Sequence, residues 1–183
     1  MNREEAYSLL TEYTSNPNLI KHALAVESAM RWYARYYGED EEKWGIAGLL
    51  HDFDYERYPT AEDHPGKGAE ILKAKGYPED LIYAIKSHAD HMGLERRSRM
   101  DRTLFAVDEL SGFLTAVALV MPNKKISEVK VKSVKKKIKD KAFARNVSRD
   151  DIRKGAEQLG IELEEHIANM LKAMVDVADK LGL

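Results

Sequence analysis

The chain contains no cysteine. A disulfide framework, a thiolate-liganded zinc site and a cysteine nucleophile are thereby excluded. Long apolar runs are missing too: the most hydrophobic stretch, Phe113 to Met121, is far shorter than the ~20 residues that span a bilayer. The first residues, Met1 to Glu5, are of mixed charge and carry no apolar segment, so no secretory signal is visible. The expected setting is soluble and cytoplasmic, with no membrane partner. Proline and glycine are scarce, 5 and 11 in 183 residues. No internal repeat and no low-complexity linker interrupts the chain.

What is present is an ordinary globular balance: 44% hydrophobic and 33% charged residues, with a mean hydropathy of −0.51. The net charge of −2 conceals an asymmetry. Between Lys124 and Arg145 ten basic residues face only Glu128 and Asp140, a local balance of +8, so the remainder carries −10. A protein that coats nucleic acid would not be acidic over most of its length, and nucleic acid is not the expected partner. A small anionic, phosphorylated ligand meeting one basic lip fits these charges.

The apolar periodicity predicts an all-α, single-domain bundle over 1–183, with a functional core at about 17–121 and a helical extension at 122–183. Helices are expected at 3–13, from Pro17 to about Tyr37, from Glu41 to Leu50, from Pro65 to Gly76 and from Pro78 to near Gly93. Further helices should run from Asp101 to Met121, over part of 129–141, and at 149–159 and 163–181.

Several polar residues fall on apolar helix faces. His22 shares a face with Val26, Ala29 and Tyr33; His88 with Leu81, Ala84 and Ile85; Asp108 with Leu104, Ser111, Thr115 and Ala118. These side chains should point inward. His51 and Asp52 close the apolar run Ile46–Leu50. A buried carboxylate without a partner costs several kcal/mol. Taken singly, each residue is explained by ordinary core hydrogen bonding. Taken together, a divalent cation would be the common partner, and imidazole with carboxylate suits Fe, Mn, Zn or a similar first-row ion.

In order and spacing these residues resemble the HD-domain metal-dependent phosphohydrolases, also called HDIG proteins. The pattern is carried by His22 in LIKHALAVE, His51-Asp52 in GLLHDFDYE and Asp108 in TLFAVDELSG; members with two more histidines are matched by His64 in DHPGKGAEIL and His88 in AIKSHADHMG. The usual Ile-Gly after His-Asp is replaced by Phe53-Asp54. Gly76-Tyr77-Pro78 is a helix stop and start, not the signature of a cyclic-dinucleotide phosphodiesterase, because it precedes His88. The resemblance implies one or two ions of Fe, Mn, Co, Ni or Zn: His22, His51, Asp52 and Asp108 on the first, with Asp52 bridging to a second held by His64 and His88. His91, one turn after His88, is a further candidate ligand or supporting donor. Hydroxide on the metal would attack phosphorus, with Asp52 and Asp54 as catalytic residues and Glu56 an alternative for orienting water. Lys67 and Lys124, and less directly Lys135–Lys137, are the expected phosphate-binding cations. The activity so implied is hydrolysis of a nucleotide or other small phosphoester. Its rivals are a di-iron oxygenase of the HD type and a metal-containing regulatory or nucleic-acid-binding module without turnover.

Overall fold

The structure, a computed structural model, describes residues 2–183. Ten α-helices and two 3-10 turns, Asp90–Met92 and Ile126–Glu128, make up its regular structure, and no strand occurs among the described residues. The α-helices are α1 (Arg3–Tyr13), α2 (Pro17–Tyr37), α3 (Glu41–Leu50), α4 (Gly66–Ala74), α5 (Glu79–His88), α6 (Arg99–Leu119), α7 (Val131–Lys139), α8 (Arg149–Leu159), α9 (Leu163–Val175) and α10 (Ala178–Leu181). The all-α expectation is met. No helix among the described residues is long and apolar enough to cross a membrane.

Two 21-residue helices, α2 and α6, form the centre. Asn16 caps α2 by accepting the Asn18 N–H, and Pro17 occupies the first turn, where a missing N–H costs nothing. The sequence placed the cap of α6 at Asp101. The cap lies three residues earlier, at Ser98, because Ser98 and Asp101 form a reciprocal capping box: each side chain accepts a hydrogen bond from the other's backbone N–H. The expected last helix is also divided, ending at Val175 and resuming at Ala178.

α3 lies flat against α2. A side chain at Gly48 would meet the Met30 Cγ and the Val26 carbonyl oxygen at 2.9 Å, so only glycine permits this approach. The close fit buries seven of the ten residues of α3 and brings the residue that caps its C-terminus, His51, against His22 of α2. α5 and α6 close the other side of this layer, and the elements after residue 121 fold back over α6 and α2. Ile126, Val134, Ile138, Ile152 and Ile167 join the same core as Leu50, Leu81 and Leu104. Each such buried aliphatic side chain contributes ~1.5–3 kcal/mol relative to exposure.

Candidate metal centre

Inward-facing residues of three helices, α2, α5 and α6, and of the segment between α3 and α4 converge. One ligand atom each from His22, His51 and Asp108 lie within 4.8 Å of one another, and the same holds for Asp52, His64 and His88. The two triads are contiguous. The His51 ring packs edge-on against the rings of both His22, at 5.1 Å, and His88, at 5.3 Å. Asp52 lies between them, with Oδ2 at 3.5 Å from His51 Nε2 and Oδ1 at 3.2 and 3.3 Å from the Nε2 atoms of His64 and His88.

The orientation of the rings is the informative part. The His51 Nδ1–H donates to the Gly48 carbonyl at 2.7 Å, that of His88 to the Ile85 carbonyl at 2.5 Å, and that of His64 to the Asp54 carboxylate at 2.8 Å. Each acceptor fixes a proton on Nδ1 and leaves Nε2 aimed at the cluster, the arrangement that metal-ligating histidines adopt. His51 Nε2 and Asp52 Oδ1 are buried with no hydrogen-bond partner. Buried polar atoms are paired in the great majority of cases, and an unpaired one costs about 1–3 kcal/mol. Lone pairs from nitrogen and oxygen converging on common points need a cation between them. The donor set of imidazoles and carboxylates therefore fits a divalent first-row ion.

Electrostatics point the same way. Burial alone would lower the pKa of His51 and of His88, but the neighbouring carboxylates outweigh it, Asp52 and Asp108 in both cases, and hold both imidazoles above their usual range. Burial likewise opposes charge on His64, yet Asp52 and Asp54 push it up to about 9. Burial would raise the carboxyls of Asp52 and Asp108, and the surrounding histidines hold both well below the usual carboxylate range. Thus the pocket favours positive charge at its centre.

Two other roles read from the sequence are revised. Asp54 is fully buried behind His64, its second oxygen taking the Gly68 N–H at 2.7 Å, so it positions His64 and has no open path to a substrate. Glu56 accepts from the Ser15 hydroxyl and from the N–H groups of Ser15 and Asn16, which fastens the turn before α2. His91 donates from Nε2 to the His64 carbonyl at 2.8 Å and stands outside both triads.

The lysines are also displaced from their expected places. Lys67 pairs with Glu70 at 3.2 Å on an exposed face of α4. Lys124 lies in the turn after α6, beyond Leu119, and belongs to neither triad. On α7, Val134 and Ile138 are buried, Lys135 pairs with Glu164 and Lys137 sits over the Phe143 ring at 4.5 Å, so the basic helix turns its lysines to its wet side.

Some residues around the centre were not singled out in the sequence. Tyr55, partly exposed, packs edge-on against His64 at 5.3 Å. Burial and the adjacent Asp108 charge push Glu109 up to about 7. Arg96 stacks on Phe105 beside His88. Only the placement of Glu109 directly after Asp108 could have drawn notice in the sequence; Arg96 lies in a loop without periodicity.

Known proteins reproduce this part of the chain. Ribonuclease Y of Oleidesulfovibrio alaskensis is 33% identical over 96 residues, covering 52% of this chain and 18% of that protein. Ribonuclease Y of Desulfotalea psychrophila is 32% identical over 99 residues, again 52% and 18%, and that of Lawsonia intracellularis 33% over 87 residues, 45% and 16%. The chain thus spans less than a fifth of the length of these curated relatives. No solved structure gives a significant match. The model of the HD-domain family matches residues 19–112, which is half of the chain and includes every residue of the two triads. The resemblance carried by the His22, His51-Asp52 and Asp108 pattern is thus borne out, and the chain belongs to the HD-domain family.

Proposed function

We propose that this protein is a metal-dependent phosphohydrolase acting on a nucleotide or another small phosphoester. The observation that carries the reading is the pair of contiguous His/Asp triads, with two buried ligand atoms that have no hydrogen-bond partner. His22, His51 and Asp108 would hold one divalent ion and Asp52, His64 and His88 a second, with Asp52 reaching toward both. The ion would be Fe, Mn, Co, Ni or Zn. When bound, such ions lower the pKa of a coordinated water and polarise a phosphoryl oxygen.

The chain's own residues prepare the site. The Gly48 and Ile85 carbonyls and the Asp54 carboxylate lock the three imidazoles in one tautomer, so that no reorientation is needed on binding. His51 is wholly buried and forms the dry floor. The His22, Asp52 and Asp108 side chains are each about a quarter exposed, and theirs is the face open to a phosphoester.

The test is an activity screen on metal-stripped protein reconstituted separately with each ion, with metal content measured on the same sample. The panel holds nucleoside mono-, di- and triphosphates, dinucleotides and short single-stranded RNA, the last because the relatives described above are ribonucleases. Turnover of a phosphoester that is lost in His51→Ala supports the proposal. Loaded protein that hydrolyses nothing on the panel, or iron-loaded protein that consumes O₂ instead, overturns it.

A further inference from the structure

The C-terminal end of α6 and the basic helix α7 enclose a groove of about 380 Å³. That volume is within the ~300–1,000 Å³ of ordinary binding clefts. Val117, Val120 and Met121 form one wall, and Lys136, Lys137 and Asp140 stand on the other. No residue of either triad lines it.

The apolar wall is open to water. Val120 is 57% exposed and its neighbour Leu119 50%. A single exposed apolar side chain is ordinary on a protein surface. Tyr36, Tyr55 and Val175 are exposed singly along the chain, whereas Leu119 and Val120 are adjacent and Val120 lines the groove.

The cationic wall lacks counter-charges. Of the ten basic side chains between Lys124 and Arg145, only Lys135 forms an ion pair among the described residues, with Glu164. Lys136 is exposed, and Lys137 rests on the Phe143 ring, 4.5 Å from its centroid. Lys132 and Lys139, both exposed, lie one turn to either side of Lys136. The two acids of this segment reduce the charge without pairing with these lysines: Glu128 accepts from the Asn123 side chain, and Asp140 accepts the Ala142 N–H at 3.0 Å. Elsewhere the protein neutralises such groups, as in Lys43 with Asp80, Lys67 with Glu70 and Lys154 with Asp90. A basic face without acids of its own draws in anions.

We propose that this groove docks an acidic, amphipathic segment of a partner protein. Its aliphatic side chains would pack on Val117, Val120 and Met121, and its carboxylates would meet Lys136, Lys137 and the neighbouring lysines. Charge complementarity fixes the sign of the partner. The aliphatic wall has no hydrogen bond to give the phosphates and sugars of a nucleic acid, and a flat lipid surface would not fill a concave site. A helix with apolar residues at i and i+4 and acids beside them meets both walls at once. The inference is independent of the hydrolase reading, because none of these residues belongs to either triad.

The experiment follows the fluorescence anisotropy of a labelled helical peptide of glutamate and alanine, with leucines at i, i+4 spacing, as the protein is titrated in. The peptide should bind, and at least fivefold more weakly when its leucines are replaced by serine or its glutamates by glutamine. Lys136→Glu and Val120→Ser should each weaken binding at least threefold. Both side chains are exposed, so both variants should keep the wild-type unfolding temperature. No binding, or binding indifferent to both substitutions, overturns the proposal. Tighter binding of single-stranded RNA or of anionic lipid vesicles, weakened by the same two substitutions, also overturns it and assigns the face to that partner instead.

Discussion

Replacing Asp54 with alanine removes a side chain that belongs to neither triad, yet it should weaken one of the two selectively. The Asp54 carboxylate accepts the His64 Nδ1–H at 2.8 Å and the Gly68 N–H at 2.7 Å. Without it the His64 ring is free to turn and its Nε2 is a poorer donor. Loss of such a supporting contact typically costs 10- to 100-fold in metal affinity, or about 1.4–2.7 kcal/mol. Gly68→Ala should produce the same defect by another route. A Cβ there would stand 2.7 Å from the Asp54 Cγ, so the carboxylate must withdraw, while the exchange in α4 adds up to ~1 kcal/mol of helix propensity. Metal affinity would fall without a matching loss of thermal stability. The assay is a competition titration of metal-stripped protein against a chromogenic chelator, resolving two affinities. Asp54→Ala protein that binds both ions as tightly as wild type would refute the reasoning.

Three further outcomes concern the scaffold. His166 is buried, donates from Nε2 to the Ala106 carbonyl at 2.9 Å and accepts the Tyr33 hydroxyl at Nδ1, 2.6 Å away. Burial lowers its pKa to about 4, against a partial rise from the Ala106 bond. The unfolded chain binds this proton at higher pH than the folded one, so stability is full above about pH 6.5 and declines as pH falls toward 4, by roughly 3 kcal/mol in total. Denaturant unfolding from pH 7 to 4 should show that slope in wild type and a shallower one in His166→Phe. Tyr33→Phe leaves the Nδ1 acceptor unsatisfied and should cost about 1–3 kcal/mol at pH 7, read as a lower denaturation midpoint. Ser98→Ala removes one half of the α6 capping box and should cost about 1 kcal/mol in the same measurement.

The helices were legible because their signals are local. Asn16-Pro17 marks a start that the structure keeps, the starts expected at Glu41 and at 149 hold as well, and the apolar spacing around His22, His88 and Asp108 already turned those side chains inward. The α6 cap was misread by three residues because a capping box has two ends: Asp101 is the third residue of the helix, and the cap itself is Ser98. Asp54 was misjudged for a different reason. Sequence spacing places it beside Asp52, but only the packing of α4, with Gly68 presenting its N–H, turns it behind His64. The lysines were out of reach in the same sense. Lys67 and Lys124 were close in sequence to interesting residues, whereas Lys154 reaches Asp90 across 64 residues of chain. Contacts of that range are set by how α8 lies along α6, and periodicity within either helix does not encode them.

The central claim is that the two triads hold metal ions. It is tested most directly by elemental analysis of protein purified without added metal and after dialysis with each candidate ion, wild type beside Asp52→Ala and Asp108→Ala. The account predicts up to two tightly held first-row ions per chain in wild type and a clear loss in each variant. Wild-type protein that takes up none of these ions, or variants that retain the full complement, would contradict it.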